Sequence, residues 1–196
     1  MKYPTKAKIG DKEYKINTDF RIAIECNEIA LDTSINDFER ALAIIYKLYG
    51  DEGLKDFENH DRLLEIGLKY LSCGKEPTLS SSNEEPDMDY IEDEGYIRSS
   101  FQYDYQYDPY ELNHCHWYKF FNDLNNLINN EFGSCCILNR IRNIRNCDLS
   151  KITDAKEKER IRKAKEQVAL KKFKKENNLT KEQEESMNEL NKILGI

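Results

Sequence analysis

The sequence contains no long apolar run, and this absence limits where the protein can work. No stretch approaches the roughly 20 consecutive apolar residues that a membrane-spanning helix needs. The opening stretch, MKYPTKAKIGDKEYKI, has neither a continuous apolar segment nor a small-residue cleavage site, so we expect no secretory signal peptide. These absences predict a cytosolic protein without a membrane partner.

Motifs of catalysis and metal binding are also absent. The stretch SCGK, residues 72–75, lacks the GxxxxGK[ST] pattern and follows a predicted helix, whereas a phosphate-binding loop precedes one. Cys73 would need a nearby histidine to act as a nucleophile, and nothing in the sequence brings it one. His114, Cys115 and His116 lack CxxC or HxxxH partners, and residues i and i+2 diverge by about 200° on a helix. We therefore predict no catalytic residue, no metal site, no cofactor and no enzymatic activity.

The six cysteines are predicted to be reduced thiols. The chain has no recognisable export signal, and Cys135 and Cys136 are adjacent, which does not suit the disulfide framework of a small secreted domain. We expect most of these thiols to be buried.

Charge is abundant but unevenly distributed. The whole chain has 37 acidic and 30 basic side chains and a net charge of −7. Residues 75–113 carry eleven acidic against two basic side chains, whereas residues 137–175 carry fourteen basic against five acidic. Such polarity is typical of surfaces that match one another, and without a base-reading motif we expect no nucleic-acid partner.

The hydrophobic pattern predicts a mainly α fold, with a small N-terminal β-hairpin followed by a bundle of about six helices. Short strands on either side of Gly10 indicate the hairpin within residues 6–16. Apolar residues at helical spacing mark the helices. The predicted helices cover residues 17–31, 34–50, 60–71, 89–108, 109–128 and 134–146.

Local signals predict the helix ends. Asn17 or Thr18 is the expected cap of the first helix, and Ser34 is the expected cap of the second. Gly50 is expected to end the second helix. Gly74 suits the left-handed position that follows the third helix, so we interpret SCGK as a helix stop.

Composition divides the chain after residue 150. Residues 1–150 form the predicted helical domain, which includes the hairpin and a mobile acidic linker at residues 75–88. Residues 151–196 form an extended, charged helical tail with high helix propensity and few large apolar residues. We expect this tail to be stable only when it is docked on something.

Aromatic side chains alternate with acidic ones in FQYDYQYDPY, residues 101–110. Aromatic residues belong mostly to cores, but this alternation predicts that some reach the surface, where tyrosine favours partner binding. We predict a partner-binding face from eight aromatic residues: Tyr96, Phe101, Tyr103, Tyr105, Tyr107, Tyr110, Trp117 and Phe121.

Several segments, in this order, resemble a family of siphophage and prophage proteins. They are GDKEYKINTDFR, LKYLSCGKE before an acidic linker that contains serine, DYIEDEGYIRSSFQYDYQYD, HWYKFFNDL, and RIRNIRNCDLSKITDAKEKERIRKAK. The resemblance extends over about residues 6–175. In that family the gene lies just upstream of the tape-measure gene, and the proteins are regarded as tail assembly chaperones or their close relatives.

The resemblance implies a non-catalytic chaperone that keeps the tape-measure protein soluble and extended while the tail tube polymerises around it. The implied partners are the tape-measure protein, the tail tube protein and further copies of this chain. The implied location is the host bacterial cytoplasm, and the protein is expected to be absent from the mature virion. The alternative is a structural virion component, such as a connector or tail-completion protein. The family supplies no functional residue positions.

Overall fold

The computed structural model describes residues 3–74, 86–128 and 136–172. Within these ranges the protein has one two-stranded antiparallel sheet and seven α-helices, which confirms the predicted mainly α class with an N-terminal hairpin. None of the described helices is both long and apolar enough to cross a membrane. The elements are β1 (Lys6–Ile9), β2 (Lys12–Lys15), α1 (Phe20–Leu31), α2 (Asp37–Lys55), α3 (His60–Leu71), α4 (Glu94–Tyr105), α5 (Trp117–Asn125), α6 (Ile137–Asn146) and α7 (Ala155–Val168), with 3₁₀ turns at Phe57–Asn59 and Leu149–Lys151.

The β-hairpin packs one face on the helices. Ala7 pairs with Tyr14 across the two strands, and both side chains are buried. The residues beside them in each strand point to the other face of the sheet, so Lys6, Lys8 and Lys15 are exposed. Gly10 forms the turn with a positive φ of 58°, a conformation that glycine adopts without steric cost. The hairpin contacts α2 and α3.

Asp19 caps α1. Its side chain accepts a hydrogen bond from the backbone N–H of Arg21 at 3.0 Å, as an N-cap residue does. The prediction that Asn17 or Thr18 caps this helix is wrong, because the backbone of these two residues is hydrogen-bonded to other parts of the fold. A local pattern cannot reveal such tertiary bonds.

Asn36 caps α2, and the prediction of Ser34 is wrong. The Asn36 side chain accepts the N–H of Glu39 at 2.9 Å, and the Glu39 carboxylate accepts the N–H of Asn36 at 3.0 Å. This reciprocal pair is a capping box, which satisfies two free donors of the first helical turn. Ser34 instead donates from its N–H and its hydroxyl to the carboxylate of Asp32.

Gly50 bends α2 where the sequence predicts its end. The helix continues to Lys55, while Gly50 has φ 65° and ψ −156°, a backbone conformation that is almost confined to glycine. Beside the bend, α2 and α3 approach closely. A Cβ atom on Gly67 of α3 would lie 2.8 Å from Cδ1 of Leu48, so glycine is what allows this approach.

The SCGK stretch ends α3, as predicted. The N–H of Cys73 donates to the Tyr70 carbonyl at 2.9 Å, and the N–H of Gly74 donates to the Lys69 carbonyl at 2.8 Å, which together form a Schellman motif. Both Cys73, at φ 53°, and Gly74, at φ 78°, have positive φ. Cys73 occupies the left-handed position predicted for Gly74, and its side chain packs against the core.

Residues 106–116 form a loop between α4 and α5. Gln106 ends α4 in a left-handed conformation with φ 61°, and α5 begins only at Trp117. The predicted helices at 89–108 and 109–128 are therefore too long. The carbonyls of Tyr110 and Leu112 bind the side chain of Arg21, which lies about ninety residues earlier in the chain.

The chain divides into two compact units, with the boundary between Asn143 and Ile144. The composition-based boundary after residue 150 falls within the second unit. In that unit the Arg145 side chain donates to the Val168 carbonyl at 2.7 Å and the Lys165 ammonium donates to the Cys147 carbonyl at 2.7 Å. Most of the predicted linker, and the predicted tail from residue 173 onward, lie outside the described residues.

The five described cysteines are free thiols. Cys26, Cys115 and Cys136 are buried, and Cys73 and Cys147 are partly buried. Burial raises the pKa of Cys26 to about 12 and that of Cys115 to about 11. At neutral pH these two thiols are protonated and serve as small apolar core groups.

Asp56 ties the hairpin to the end of α2. Its carboxylate accepts hydrogen bonds from the Lys12 ammonium at 2.5 Å, from the Tyr14 hydroxyl, and from the Asn59 amide at 3.1 Å. These bonds, with that from Lys12 first, lower the pKa of Asp56 to about 2. Because the folded pKa lies below the unfolded value of about 3.9, the ionised Asp56 stabilises the fold above pH 4.

We predict that the substitution Asp56→Asn makes the free energy of unfolding less dependent on pH in the acidic range. In the wild type, the contribution of Asp56 is lost as the pH falls from about 4 to about 2, and the asparagine variant has no such group to titrate. Urea unfolding at a series of pH values measures this slope. Asp61→Asn, which removes an exposed carboxylate from α3, is the control and should keep the wild-type slope. Equal slopes for Asp56→Asn and the wild type would contradict the assignment.

We also predict that Gly50→Ala destabilises the protein by about 1–3 kcal/mol, because alanine is strained at this φ and ψ. No atom lies within 4 Å of the place where the new Cβ would sit, so the loss reports backbone strain alone. Gly95→Ala in α4 also places its Cβ in open space, but in a helical backbone, and should be neutral or stabilising. Chemical unfolding gives the free energy of unfolding of both variants. A Gly50→Ala variant as stable as the wild type would contradict the predicted backbone strain.

Candidate partner-binding surface

Backbone hydrogen bonds join the start of α1 to the start of α5. Asp19 and His116 form an isolated antiparallel bridge. The two flanking bonds, from Phe20 N–H to the Cys115 carbonyl and from Trp117 N–H to the Thr18 carbonyl, are 2.9 and 2.8 Å long. The bridge brings the first helix of the protein next to the helix that carries Trp117.

Arg21 holds the loop of residues 106–116 against α1. Its Nη1 lies 3.1 Å from both carboxylate oxygens of Asp19, and its Nη2 lies 2.8 Å from the Tyr110 carbonyl and 2.9 Å from the Leu112 carbonyl. Asp19 Oδ2 also accepts the N–H of Cys115 at 3.3 Å. One ion pair therefore positions the loop that carries two of the predicted tyrosines.

Phe101 and Trp117 lie in the core rather than on the surface. Their exposed fractions are 0% and 1%. Phe120 is the centre of this cluster, because its ring stacks on Phe20 at 4.3 Å and on Phe101 at 5.3 Å between centroids, with Trp117 at 6.0 Å. The indole N–H of Trp117 donates to the Leu71 carbonyl at 3.0 Å. Phe101 and Trp117 therefore belong to the core that packs beneath the predicted face.

Tyr105 and Tyr107 attach the end of α4 to α5. The Tyr105 hydroxyl donates to the Asp123 carbonyl at 2.8 Å, and the Tyr107 hydroxyl donates to the Asp123 carboxylate. The Lys119 ammonium donates to the Tyr107 oxygen at 3.0 Å and also pairs with Asp123. Burial and the bond to Asp123 raise the pKa of Tyr107. Both hydroxyls are therefore engaged within the protein.

Three further predicted residues, Tyr96, Tyr110 and Phe121, are partly buried against the core. The Tyr110 ring meets Phe20 edge-on at 4.9 Å, and the Arg98 guanidinium lies 5.6 Å from the ring centroid. The Tyr110 hydroxyl is buried and has no hydrogen-bond partner among the described residues. Burial raises the pKa of Tyr110, so the hydroxyl stays protonated.

Tyr103 differs from the other predicted residues, because it is 69% exposed. Ser99 and Gly95 precede it at four-residue spacing on α4, and Ile91, which is 56% exposed, lies one further step back in the turn that leads into the helix. Residues spaced by four are neighbours on a helix, each turned by about 40° from the last, so Gly95, Ser99 and Tyr103 form a slanted row along α4. We call Gly95, Ser99 and Tyr103, together with Ile91 in the turn before the helix, the α4 face. Ile91 is absent from the predicted set, and its exposure is visible only in the folded structure.

The α4 face is open between its two large side chains. A Cβ atom added at Gly95 would meet nothing within 4 Å, and the Ser99 hydroxyl is turned to the backbone, where it donates to the Gly95 carbonyl at 2.8 Å. Two exposed apolar side chains therefore flank a low stretch of helix backbone. Such a surface can accept the apolar side of another helix.

Much of the negative charge around α4 is engaged within the protein. Arg98 pairs with Asp108 at 2.7 Å and with Glu94 at 3.2 Å, and Arg142 pairs with Asp87 at 3.1 Å. The carboxylates of this segment thus hold local structure together.

His114, Cys115 and His116 do not converge on one point. His116 caps α5 by accepting a backbone N–H at Nδ1, 3.1 Å away, while its Nε2 donates to the Pro4 carbonyl at 3.0 Å. Burial lowers the pKa of His116. His114 Nε2 lies 3.0 Å from the Thr18 hydroxyl, and the Cys115 side chain is buried. In residues 3–74, 86–128 and 136–172, no cluster of three or more His, Cys, Asp or Glu side chains is arranged to hold a metal ion.

A family profile described as Bacteriophage Gp15 protein matches residues 2–170 of the chain. The matched range includes the junction of α1 with α5 and the whole α4 face. No curated protein and no solved structure matches the chain.

We predict that Arg21→Met destabilises the protein by about 1–2 kcal/mol, because it leaves Asp19 and two loop carbonyls without their donor. The expected loss is moderate since Arg21 is partly exposed. Urea unfolding followed by the fluorescence of Trp117, the single tryptophan, measures it. Arg62→Met breaks an exposed pair with Glu65 on α3 and should cost below about 0.5 kcal/mol. Equal losses in the two variants would show that Arg21 has no special role.

Proposed function

Because the chain belongs to the Bacteriophage Gp15 protein family, we propose that it is a tail assembly chaperone that binds the tape-measure protein. In this role it keeps the tape measure soluble and extended while the tail tube forms, and it requires no catalytic residue. The resemblance of its ordered segments to phage proteins encoded beside the tape-measure gene supports this proposal. The protein then works in the host cytoplasm, passes its client to the tail tube protein and leaves before the virion is complete.

The observation that carries the proposal is the α4 face. Tyr103 is exposed near the end of α4 and Ile91 is exposed in the turn before its start, so the two side chains flank most of a helix of twelve residues, which is about 18 Å long. Two such anchors match about three turns of a partner helix. Binding of a helix through a few apolar anchors is a common mode of protein recognition. A tape-measure protein, which is long, helical and partly apolar, offers the required surface.

The small size of the α4 face suits a contact that must be released. Stable interfaces bury about 1,200–2,000 Å², whereas transient ones lie at or below the lower end of this range. Two large side chains and two small ones cover only part of such an area. Several copies that bind side by side along one tape measure would hold it more tightly than a single copy does. Self-association along the client would therefore strengthen the binding.

We predict that co-expression with the tape-measure protein encoded beside it raises the soluble fraction of that protein several-fold. The double variant Ile91→Ser, Tyr103→Ser should lose most of this effect, because it removes both anchors of the α4 face. Phe57→Ser is the matched control, since Phe57 is 78% exposed but lies in the turn between α2 and α3. Quantitative gels of soluble and pelleted fractions measure the outcome. A wild type without effect would refute the chaperone role, and a double variant that works as well as the wild type would refute the α4 face as the binding surface.

The proportion of this protein in purified virions separates the chaperone from a structural component. A chaperone that leaves after assembly is absent, or present in traces, when virions are analysed by quantitative mass spectrometry. Many copies per particle would instead support the role of a connector or tail-completion protein.

A further inference from the structure

A solvent-open groove of about 610 Å³ lies where the end of β2, the start of α1 and the second half of α2 meet. Its walls include Lys15 and Lys47, the apolar side chains of Ile22 and Tyr46, and His114 from the loop before α5. No carboxylate belongs to this lining, although 37 of the 196 residues are acidic. The groove is therefore a cationic site on an acidic protein.

Lys15 supplies a positive charge that nothing in the described structure neutralises. In the hairpin register it stands opposite Lys6, and like charges in directly opposed positions repel. The Lys6 ammonium is paired with Glu13 at 2.6 Å, whereas Lys15 makes no ion pair with a described residue. Lys47 is paired with Glu25 at 2.5 Å, so its charge is shared. An anionic group placed at Lys15 would neutralise this remaining charge.

The rest of the groove is apolar or able to form hydrogen bonds. Tyr46 is 49% exposed, and Ile22, which is partly buried, belongs to the same lining. Leu48 forms part of the buried wall. A ligand that fits this lining has an apolar part for Tyr46 and Ile22 and a carboxylate for Lys15.

We propose that this groove binds acidic, amphipathic segments of the tape-measure protein. The identity of the partner rests on the proposed chaperone function, whereas the acidic and apolar character of the segment rests on the groove itself. Sites of about 300–1,000 Å³ accommodate a ligand of several side chains, and the volume of this groove lies within that range. The groove thus receives a short stretch of the client, not a whole helix.

The proposed contact complements the α4 face. An acidic segment of the client is repelled by the net negative charge of the protein, and Lys15 offers such a segment a local attraction. Because this attraction is between exposed charges, it weakens at higher salt. Binding at the α4 face, whose two anchors Ile91 and Tyr103 are uncharged, should be far less sensitive to salt.

The proposal is tested by titrating the full chain into labelled peptides that together cover the cognate tape-measure sequence. Fluorescence anisotropy measures the binding of each peptide. We predict that the peptides whose binding depends on Lys15 are acidic and amphipathic, and that Lys15→Glu weakens their binding at least about fivefold. Tyr46→Ser should also weaken them, through the apolar contact. Lys8→Glu makes the same charge change on an exposed residue of the same hairpin outside the groove lining, and it should alter binding less than about twofold.

If Lys15→Glu and Lys8→Glu weaken peptide binding equally, the binding follows the overall charge of the protein, and this result would overturn the groove as the binding site. Preference for basic peptides would overturn it as well. If no peptide binds while the wild type still solubilises the tape measure in co-expression, the groove proposal fails and the chaperone proposal stands. If acidic peptides bind through Lys15 while co-expression has no effect, the groove stands and the chaperone proposal fails.

Discussion

The junction of α1 with α5, which the ion pair between Asp19 and Arg21 stabilises, is the constraint around which the first unit is arranged. The Asp19 carboxylate caps α1, and the Arg21 guanidinium binds the carbonyls of the loop before α5. The adjoining bridge to His116 determines where α5 begins, and α5 places Phe120 at the centre of the aromatic core. The end of α4 is attached to α5 through Tyr105 and Tyr107, and the opposite side of α4 from its buried residues Ile97, Ser100 and Phe101 faces outward.

The two surfaces that emerge from this scaffold differ in chemistry. The α4 face has two exposed apolar side chains, Ile91 and Tyr103, around a low stretch of helix, and we propose that it accepts the apolar side of a client helix. The groove near Lys15 is cationic with an apolar wall, and it suits a segment that carries carboxylates. A chaperone that must hold a long amphipathic protein and later release it benefits from several weak contacts of different kinds, since each can be broken separately.

The sequence predicts the elements better than their junctions. Alternation and helical spacing locate the hairpin and the helices, because burial of one face leaves a periodic pattern. The caps at Asp19 and Asn36 and the loop at residues 106–116 escape prediction, because bonds between distant residues decide them. Likewise the aromatic pattern cannot separate buried Phe101 from exposed Tyr103. The groove is invisible in the sequence, since Lys15, Tyr46 and His114 meet only in the folded chain.

Hydrogen–deuterium exchange of the protein, alone and mixed with the cognate tape-measure protein, tests the proposed client binding most directly. The proposal predicts a complex in which amide exchange slows along residues 91–105 and in the groove segments around Lys15 and Tyr46. A stable complex with unchanged exchange in both places would contradict the proposed surfaces. The absence of any complex between folded components would contradict the chaperone role itself.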